Sequence, residues 1–203
     1  HELTHGVTQN EAGLVYRDQS GALNESFSDV FGILVKQFAL NQTADKADWI
    51  VGGGLFMKEI KGVGIRSMKA PGTAYNDPLL GKDPQPGHMK DYVKTDRDNG
   101  GVHVNSGIPN RAFYETAIIL GGNAWEIAGS VWYDVLTRKL RPESQFQECA
   151  DACFASAGEL FGRGSKVPKA VAAGWKAVGI TVSPFVIPNA PGFHPPTAGA
   201  EVP

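Results

Sequence analysis

Between residues 20 and 40 the chain reads SGALNESFSDVFGILVKQFAL, and Leu23, Phe27, Val30, Phe31, Leu34 and Phe38 recur there at steps of three and four. At about 100° per residue these side chains fall in one arc of an α-helix. The segment is therefore read as the clearest helix of the chain. Glu25 and Asp29 lie opposite that arc, about 40° apart. They point the same way, away from the apolar stripe, on a face not committed to the core.

The rest of the pattern is also mainly helical. Residues 1–7 read as a helix or the end of one, and residues 8–20, polar and punctuated by glycine, as loop or turn. Further helices are expected at 109–120, stopped by Gly121 and Gly122, at 124–139, at 142–161 with Pro142 in the first turn, and at 167–178 with Ser165 as cap. Residues 41–104 are different, rich in Gly, Pro, Asp and Lys. A segment that long and irregular belongs to a functional surface or to disorder. From residue 183 to 203 the chain is proline-rich and nearly uncharged, and reads as a tail or linker after one unit at 1–182.

Composition narrows the function classes. At 203 residues with 42% hydrophobic and 20% charged side chains, the chain has the material for one real core. No apolar run is long enough to cross a bilayer. The 19 basic and 21 acidic groups leave a net charge of −2, which gives no electrostatic case for a nucleic-acid or anionic-membrane partner. The two cysteines, Cys149 and Cys153, share one face of a predicted helix and cannot form a disulfide scaffold. A bridge within one helix would be strained, so they are read as small thiols, buried or half-buried.

The chain opens on His1-Glu2-Leu3-Thr4-His5. On a helix, two histidines at i and i+4 face the same way and can share one ion, while the offset glutamate reaches a water on it. Nitrogen and carboxylate donors in a tetrahedral set suit zinc, and a catalytic site needs a third protein ligand with one position left open. Glu25 is the best third ligand. Asp29, one turn on, can accept the hydrogen bond of a ligand histidine's other nitrogen, fixing its tautomer and orientation.

These residues reach a known family. HELTH followed by GALNESFSDVFG resembles the thermolysin-like neutral zinc metalloproteases, whose third ligand sits in a G-A-x-N-E-x-x-S-D stretch. GIRSM at 64–68 resembles that family's L-R-S-M segment, and DNGGVHVNSGIPNRAFY at 98–114 its second signature. Details such as APGTAYNDPLLGKDPQP look most like the protealysin-type branch. The likeness runs from His1 to about residue 180. It implies the C-terminal helical lobe of a thermolysin-like zincin, mainly α, with a long irregular active-site segment.

The resemblance assigns His1, His5 and Glu25 to one zinc ion and Glu2 to activating water and carrying its proton. Asp29 matches the acid orienting the first histidine, and Asn24 supports the second. Tyr16 and His103 match the pair of donors to the tetrahedral oxyanion, with Asp98 positioning His103. Arg66 matches the arginine that holds a substrate carbonyl. Gly52, Leu55 and Ile65 match positions lining the pocket for the residue after the cut bond. The implied protein is secreted, acts on peptides or proteins, and cleaves before bulky apolar residues.

Two departures stand out. Thermolysin-type relatives carry a double calcium site using an acid at the position of Lys36 and acids near Asp48, Ile50 and Gly53, of which only Asp48 is acidic here. A lysine among would-be ligands opposes a divalent cation, so the calcium pair is expected to be absent. The family's N-terminal β-rich lobe is also missing, which leaves His1 at a frayable end. A second reading is therefore an isolated zinc-binding lobe, inactive without its partner lobe. A third, an aminopeptidase sharing H-E-x-x-H, is disfavoured by the two further signature blocks.

Overall fold

The structure, a computed structural model, describes residues 1–183. It is mainly α: seven α-helices, α1 (Glu2–Asn10), α2 (Asp18–Ala39), α3 (Asp98–Asn105), α4 (Gly107–Leu120), α5 (Ala128–Arg138), α6 (Phe146–Phe161) and α7 (Lys166–Ala177). Between α2 and α3 lie four two-residue strands and a 3-10 turn at Met89–Asp91. Strand β1 (Ile50–Val51) pairs antiparallel with β2 (Arg66–Ser67), and β3 (Asn76–Asp77) with β4 (Gly81–Lys82). After Ser183 the proline-rich segment lies outside the described residues.

Helix α2 runs through the middle. Leu23, Phe27, Val30 and Leu34 of its stripe are buried as expected, but Phe38 is exposed. The expectation that Glu25 and Asp29 lie on a face outside the core is corrected: both are 1% exposed. The first half of α2 is covered on every side, because α1 and Arg66 close over the acidic face. Two ionised carboxylates inside a protein need partners, so this burial already implies a built polar site.

Aromatic side chains tie the other helices together. Phe113 of α4 meets Trp132 of α5 edge-on at 5.0 Å, and Trp132 stacks on Trp175 of α7 at 6.3 Å. Helices α4 and α7 approach closely where Gly174 faces Ala112 and Thr116; a Cβ on Gly174 would lie 2.2 Å from the Thr116 hydroxyl. Cys149 and Cys153 are free and buried.

Several boundaries differ from the sequence expectation. Helix α6 starts at Phe146, not Pro142, because Gln145 forms a reciprocal capping box with Glu148. Pro142 lies in the preceding turn, where its carbonyl accepts from the Val15 amide at 2.8 Å. Helix α5 starts at Ala128 rather than 124, and α1 runs to Asn10. Helix α3 falls inside the stretch expected to be irregular. Its first turn is unusual: Asp98, Asn99, Gly100 and Gly101 all have positive φ.

The irregular segment sends Trp49 and Met68 into the core and is otherwise ordered by buried carboxylates. Asp77 accepts from the Lys61 and Leu79 amides at 2.9 and 2.8 Å. Asp83 accepts from Gly72, Ala74 and Gln85 at 3.0, 3.0 and 3.1 Å. Each such bond satisfies a backbone donor that neither helix nor sheet serves.

Candidate metal centre and active site

Helix α1 lies along α2 with His1 against Asp29 and His5 against Asn24, so the two helices run antiparallel here. The spacing of four puts both imidazoles on the face turned toward α2. Each ring is held by its Nδ1: His1 by Asp29 Oδ1 at 2.7 Å, His5 by Asn24 Oδ1 at 2.7 Å with the Ser28 hydroxyl at 3.2 Å. Both Nε2 atoms therefore face inward, toward Glu25.

The donor atoms fit one ion. His1 Nε2 and His5 Nε2 are 3.2 Å apart; Glu25 Oε2 lies 3.4 Å from His1 Nε2, and Glu25 Oε1 lies 3.5 Å from His5 Nε2. A tetrahedral zinc with bonds near 2.0–2.1 Å requires donor separations of about 3.3 Å. Among the described residues this is the one group of histidine, cysteine and carboxylate donors that meets a metal-binding spacing, all within 4.8 Å. Among the described residues, the buried Glu25 Oε2 has no hydrogen-bond partner, which leaves it available to a cation.

Charge in the cluster is strongly coupled. The Asp29 hydrogen bond, and then the Glu25 carboxylate beside it, pull the His1 imidazole up to about 9. Burial alone would raise Glu25 and Asp29, but their polar neighbours outweigh it: His1 and Tyr16 hold Glu25 low, and His1 and Arg66 hold Asp29 low. Burial and the Glu25 contact push the Tyr16 phenol up, so its proton stays on.

Asp29 collects four donors. Besides His1 it accepts from Arg66 Nε and Nη2 at 2.7 and 2.6 Å, and from Asn110 Nδ2 at 2.9 Å. Arg66 is carried here by the β1–β2 ladder, where it stands opposite Val51. The same ladder presents the apolar trio: Gly52, Leu55 and Ile65 are neighbours, and a Cβ on Gly52 would fall 2.8 Å from Ile65 and 3.2 Å from Leu55.

The opposite side of the cluster is built by Tyr16 and His103. The Tyr16 hydroxyl donates to Glu25 Oε1 and lies 3.2 Å from His103 Nε2. His103 is fixed through its other edge: Asp98 Oδ1 takes Nδ1 at 2.6 Å and Oδ2 takes the His103 amide at 2.9 Å. The left-handed turn at 98–101 is what bends Asp98 back onto the residue five positions later. Gly100 is required within it, since a Cβ there would meet the Asp18 carboxylate at 2.0 Å. Glu2 is 90% exposed, with Oε1 4.0 Å from His1 Nε2.

Every predicted site residue thus falls in one of two places: His1, Glu2, His5, Tyr16, Asn24, Glu25, Asp29, Asp98, His103 and Arg66 in one connected cluster, and Gly52, Leu55 and Ile65 on the ladder beside Arg66. Sequence reasoning missed Asn110, Ser28 and Gln85, which touch Asp29, His5 and the His103 backbone respectively. The only available signal was position: Asn110 closes the HVNSGIPN block and Ser28 lies within NESFSD. Away from the cluster, Lys36 Nζ sits 2.8 Å from both Asp48 oxygens and 3.2 Å from the Ile50 carbonyl.

Comparison with known proteins agrees with this geometry. Residues 12–180 match the family model described as thermolysin metallopeptidase, alpha-helical domain. An extracellular metalloprotease of Pectobacterium carotovorum subsp. carotovorum is 56% identical over 183 residues, 90% of this chain and 52% of that protein. Protease PrtS of a Photorhabdus strain is 58% identical over 185 residues, 90% of this chain and 49% of its own. The precursor of protealysin, a metalloproteinase from Serratia proteamaculans, superposes with a TM-score of 0.85 at 61% identity, over 87% of this chain and 55% of that one. The chain spans about half the length of these relatives. With two histidines one helical turn apart and a buried glutamate of the next helix brought within 4.8 Å of one another, and residues 12–180 matching the helical-domain model, the chain belongs to the thermolysin metallopeptidase family.

Proposed function

We propose that this chain is the zinc-bearing helical lobe of a secreted endopeptidase that hydrolyses peptide bonds on the N-terminal side of bulky hydrophobic residues. The observation that carries the reading is the convergence of His1, His5 and Glu25, whose metal-ligating atoms lie within 4.8 Å of one another. His1, His5 and Glu25 would hold the ion. Once bound, zinc supplies a Lewis acid that polarises the scissile carbonyl and makes a water acidic enough to attack near neutral pH.

The chain's own residues do the rest. Glu2, free of other partners beside His1, takes the proton of the attacking water and returns it to the leaving amine. Tyr16 and His103 donate hydrogen bonds where negative charge grows on the carbonyl oxygen. Asp98 keeps the His103 ring turned so that Nε2 faces the cluster. Arg66 has two nitrogens committed to Asp29 and keeps Nη1 for a substrate carbonyl. The trio Gly52, Leu55 and Ile65 offers an apolar seat to the residue after the cut bond; Leu55 is 69% and Ile65 38% exposed. Secretion is inferred from relatives named as extracellular.

The same reading holds the double calcium site to be absent. The Lys36 ammonium supplies to Asp48 and the Ile50 carbonyl the positive charge a divalent ion would bring.

Because the relatives are about twice as long, activity is proposed for the chain together with a preceding N-terminal half. The test joins this chain to the N-terminal half of the Serratia proteamaculans relative, loads zinc, and offers a blocked internal peptide with Leu or Phe after the scissile bond. Cleavage before that residue, lost on Glu2→Gln with zinc retained, is the expected result. Turnover that survives Glu2→Gln refutes the mechanism. The same assay on the chain alone reports whether the lobe is inactive by itself.

A further inference from the structure

We infer that Gln85 is a positioning residue for His103, acting from the irregular segment on the backbone of the turn that carries the imidazole. The activity readout of this inference rests on the peptidase reading above.

The His103 side chain is 50% exposed, so packing does not hold it. Asp98 binds its ring and its amide, but the two residues sit five apart on one left-handed turn. That contact fixes them to each other, and helix α3 is seated on α2 where the buried Val102 faces Gly21 and Gly100 faces Asp18. Gln85 holds the His103 carbonyl itself. It is 5% exposed, and its Nε2 donates to the His103 carbonyl at 2.7 Å and to the Ser106 hydroxyl at 3.0 Å. Ser106 in turn donates to the same carbonyl at 2.9 Å. The His103 carbonyl is thereby held by two donors that also hold each other.

Gln85 can serve as an anchor because it is itself immobilised. Its amide is bonded to Asp83, which is 3% exposed and also takes the Gly72 and Ala74 amides. Gly107, directly after Ser106, lies against this shelf: a Cβ there would fall 2.6 Å from the Pro86 carbonyl and 3.0 Å from the Gln85 Cβ. Among the described residues Gln85 Oε1 has no partner. The carboxamide is thus engaged through its N–H groups alone. Asn105 provides a separate tie, pairing both ends of its amide with the Val93 backbone at 2.9 Å, but it grips the side of the turn facing 93 and leaves the His103 carbonyl to Gln85.

A donor N–H opposite that carbonyl is the property to remove. Gln85→Glu keeps the shape and sets acceptor against acceptor, while Gln85→Leu removes both polar ends. Displacing a reacting-site group by about 1 Å costs on the order of a hundredfold in rate. In the two-lobed enzyme described above, each variant should lower kcat by about ten- to a hundredfold, with KM and zinc content unchanged. Introduced into His103→Ala, the same substitution should cost nothing further, since no imidazole remains to misplace. Losses that simply add in the two backgrounds, or an unchanged kcat, would overturn the inference.

Near-UV circular dichroism identifies a variant that has not folded, in which case the other variant is read. The chain alone gives an independent readout. Ring nitrogen resonances of His103 should shift or broaden in Gln85→Leu while those of His5 stay in place. Unmoved His103 signals would refute the role. An unsubstituted two-lobed enzyme without turnover would refute the peptidase reading, and the ring resonances would still decide this one.

Discussion

Asp29→Ala should be among the most damaging single substitutions in the chain, and the structure sets its size. The carboxylate is 1% exposed and receives His1, both Arg66 nitrogens and Asn110 at 2.6–2.9 Å. Arg66, whose side chain is 13% exposed, has no other acid within ion-pair distance among the described residues. Stranding a buried cation costs about 3–5 kcal/mol. Leaving the Asn110 amide without its acceptor adds about 1–3 kcal/mol. The sum, about 4–8 kcal/mol, is a large share of the roughly 5–15 kcal/mol that holds a domain folded. Urea unfolding of the metal-free chain, followed by fluorescence of the stacked Trp132 and Trp175, measures it. Adding Arg66→Met to Asp29→Ala removes the stranded charge and should restore about 3 kcal/mol. The isosteric Asp29→Asn, read under conditions where near-UV circular dichroism shows it folded, should bind zinc about 10–100-fold more weakly by chelator competition. A cost below about 1 kcal/mol for the single variant, or a double variant no more stable than it, would show that Asp29 is not the counter-charge of Arg66.

Stability of the metal-free chain should depend on pH in a defined way. His1 is raised from 6.5 to about 9, so its contribution is complete below 6.5 and fades as pH rises through about 9. Glu25 and Asp29 are held below 4.5 and 3.8, so theirs is complete above those values and fades toward acid. Urea midpoints should therefore be highest between about pH 5 and 6.5, and His1→Ala should lose the alkaline decline; an unaltered decline in that variant would rule out His1 as its source. Gly174→Ala should lower stability by about 1–3 kcal/mol, because the new Cβ forces α7 off α4; a melting temperature that stays level or rises would contradict the close approach. Cys149 and Cys153, 1% and 0% exposed, should resist thiol reagents until the chain unfolds. Burial also raises the Cys153 thiol, and labelling of the native chain would contradict its placement.

The metal cluster was legible because helical spacing is a rigid rule. His1 and His5 at i and i+4, and Glu25 and Asp29 at i and i+4, fix two faces, and only those faces can meet. The burial of the acids was not legible. Spacing gives direction around a helix axis but not what stands there, and α1 and Arg66 arrive from elsewhere in the chain. Helix α3 was missed because asparagine and paired glycines at its start read as loop, and the backbone there is indeed left-handed. Pro142 suits a helix start by general preference, and the specific Gln145–Glu148 pairing sets the start elsewhere. Asn110 and Gln85 carry no pattern at all: a lone carboxamide acquires meaning only from the acceptor that folding brings to it.

The reversed-handed stretch from Asp98 to Gly101 bears on the order of assembly. Such a conformation costs roughly 1–2 kcal/mol at each non-glycine residue, so the stretch cannot start folding by itself. It waits for α2 to present Asp18 beneath Gly100 and for the shelf at Asp83–Pro86 to receive Gly107. A refolding chain should therefore seat the His103 arm only after α2 and that shelf are in place, and the rate at which the His103 ring becomes ordered would be a property of this one turn.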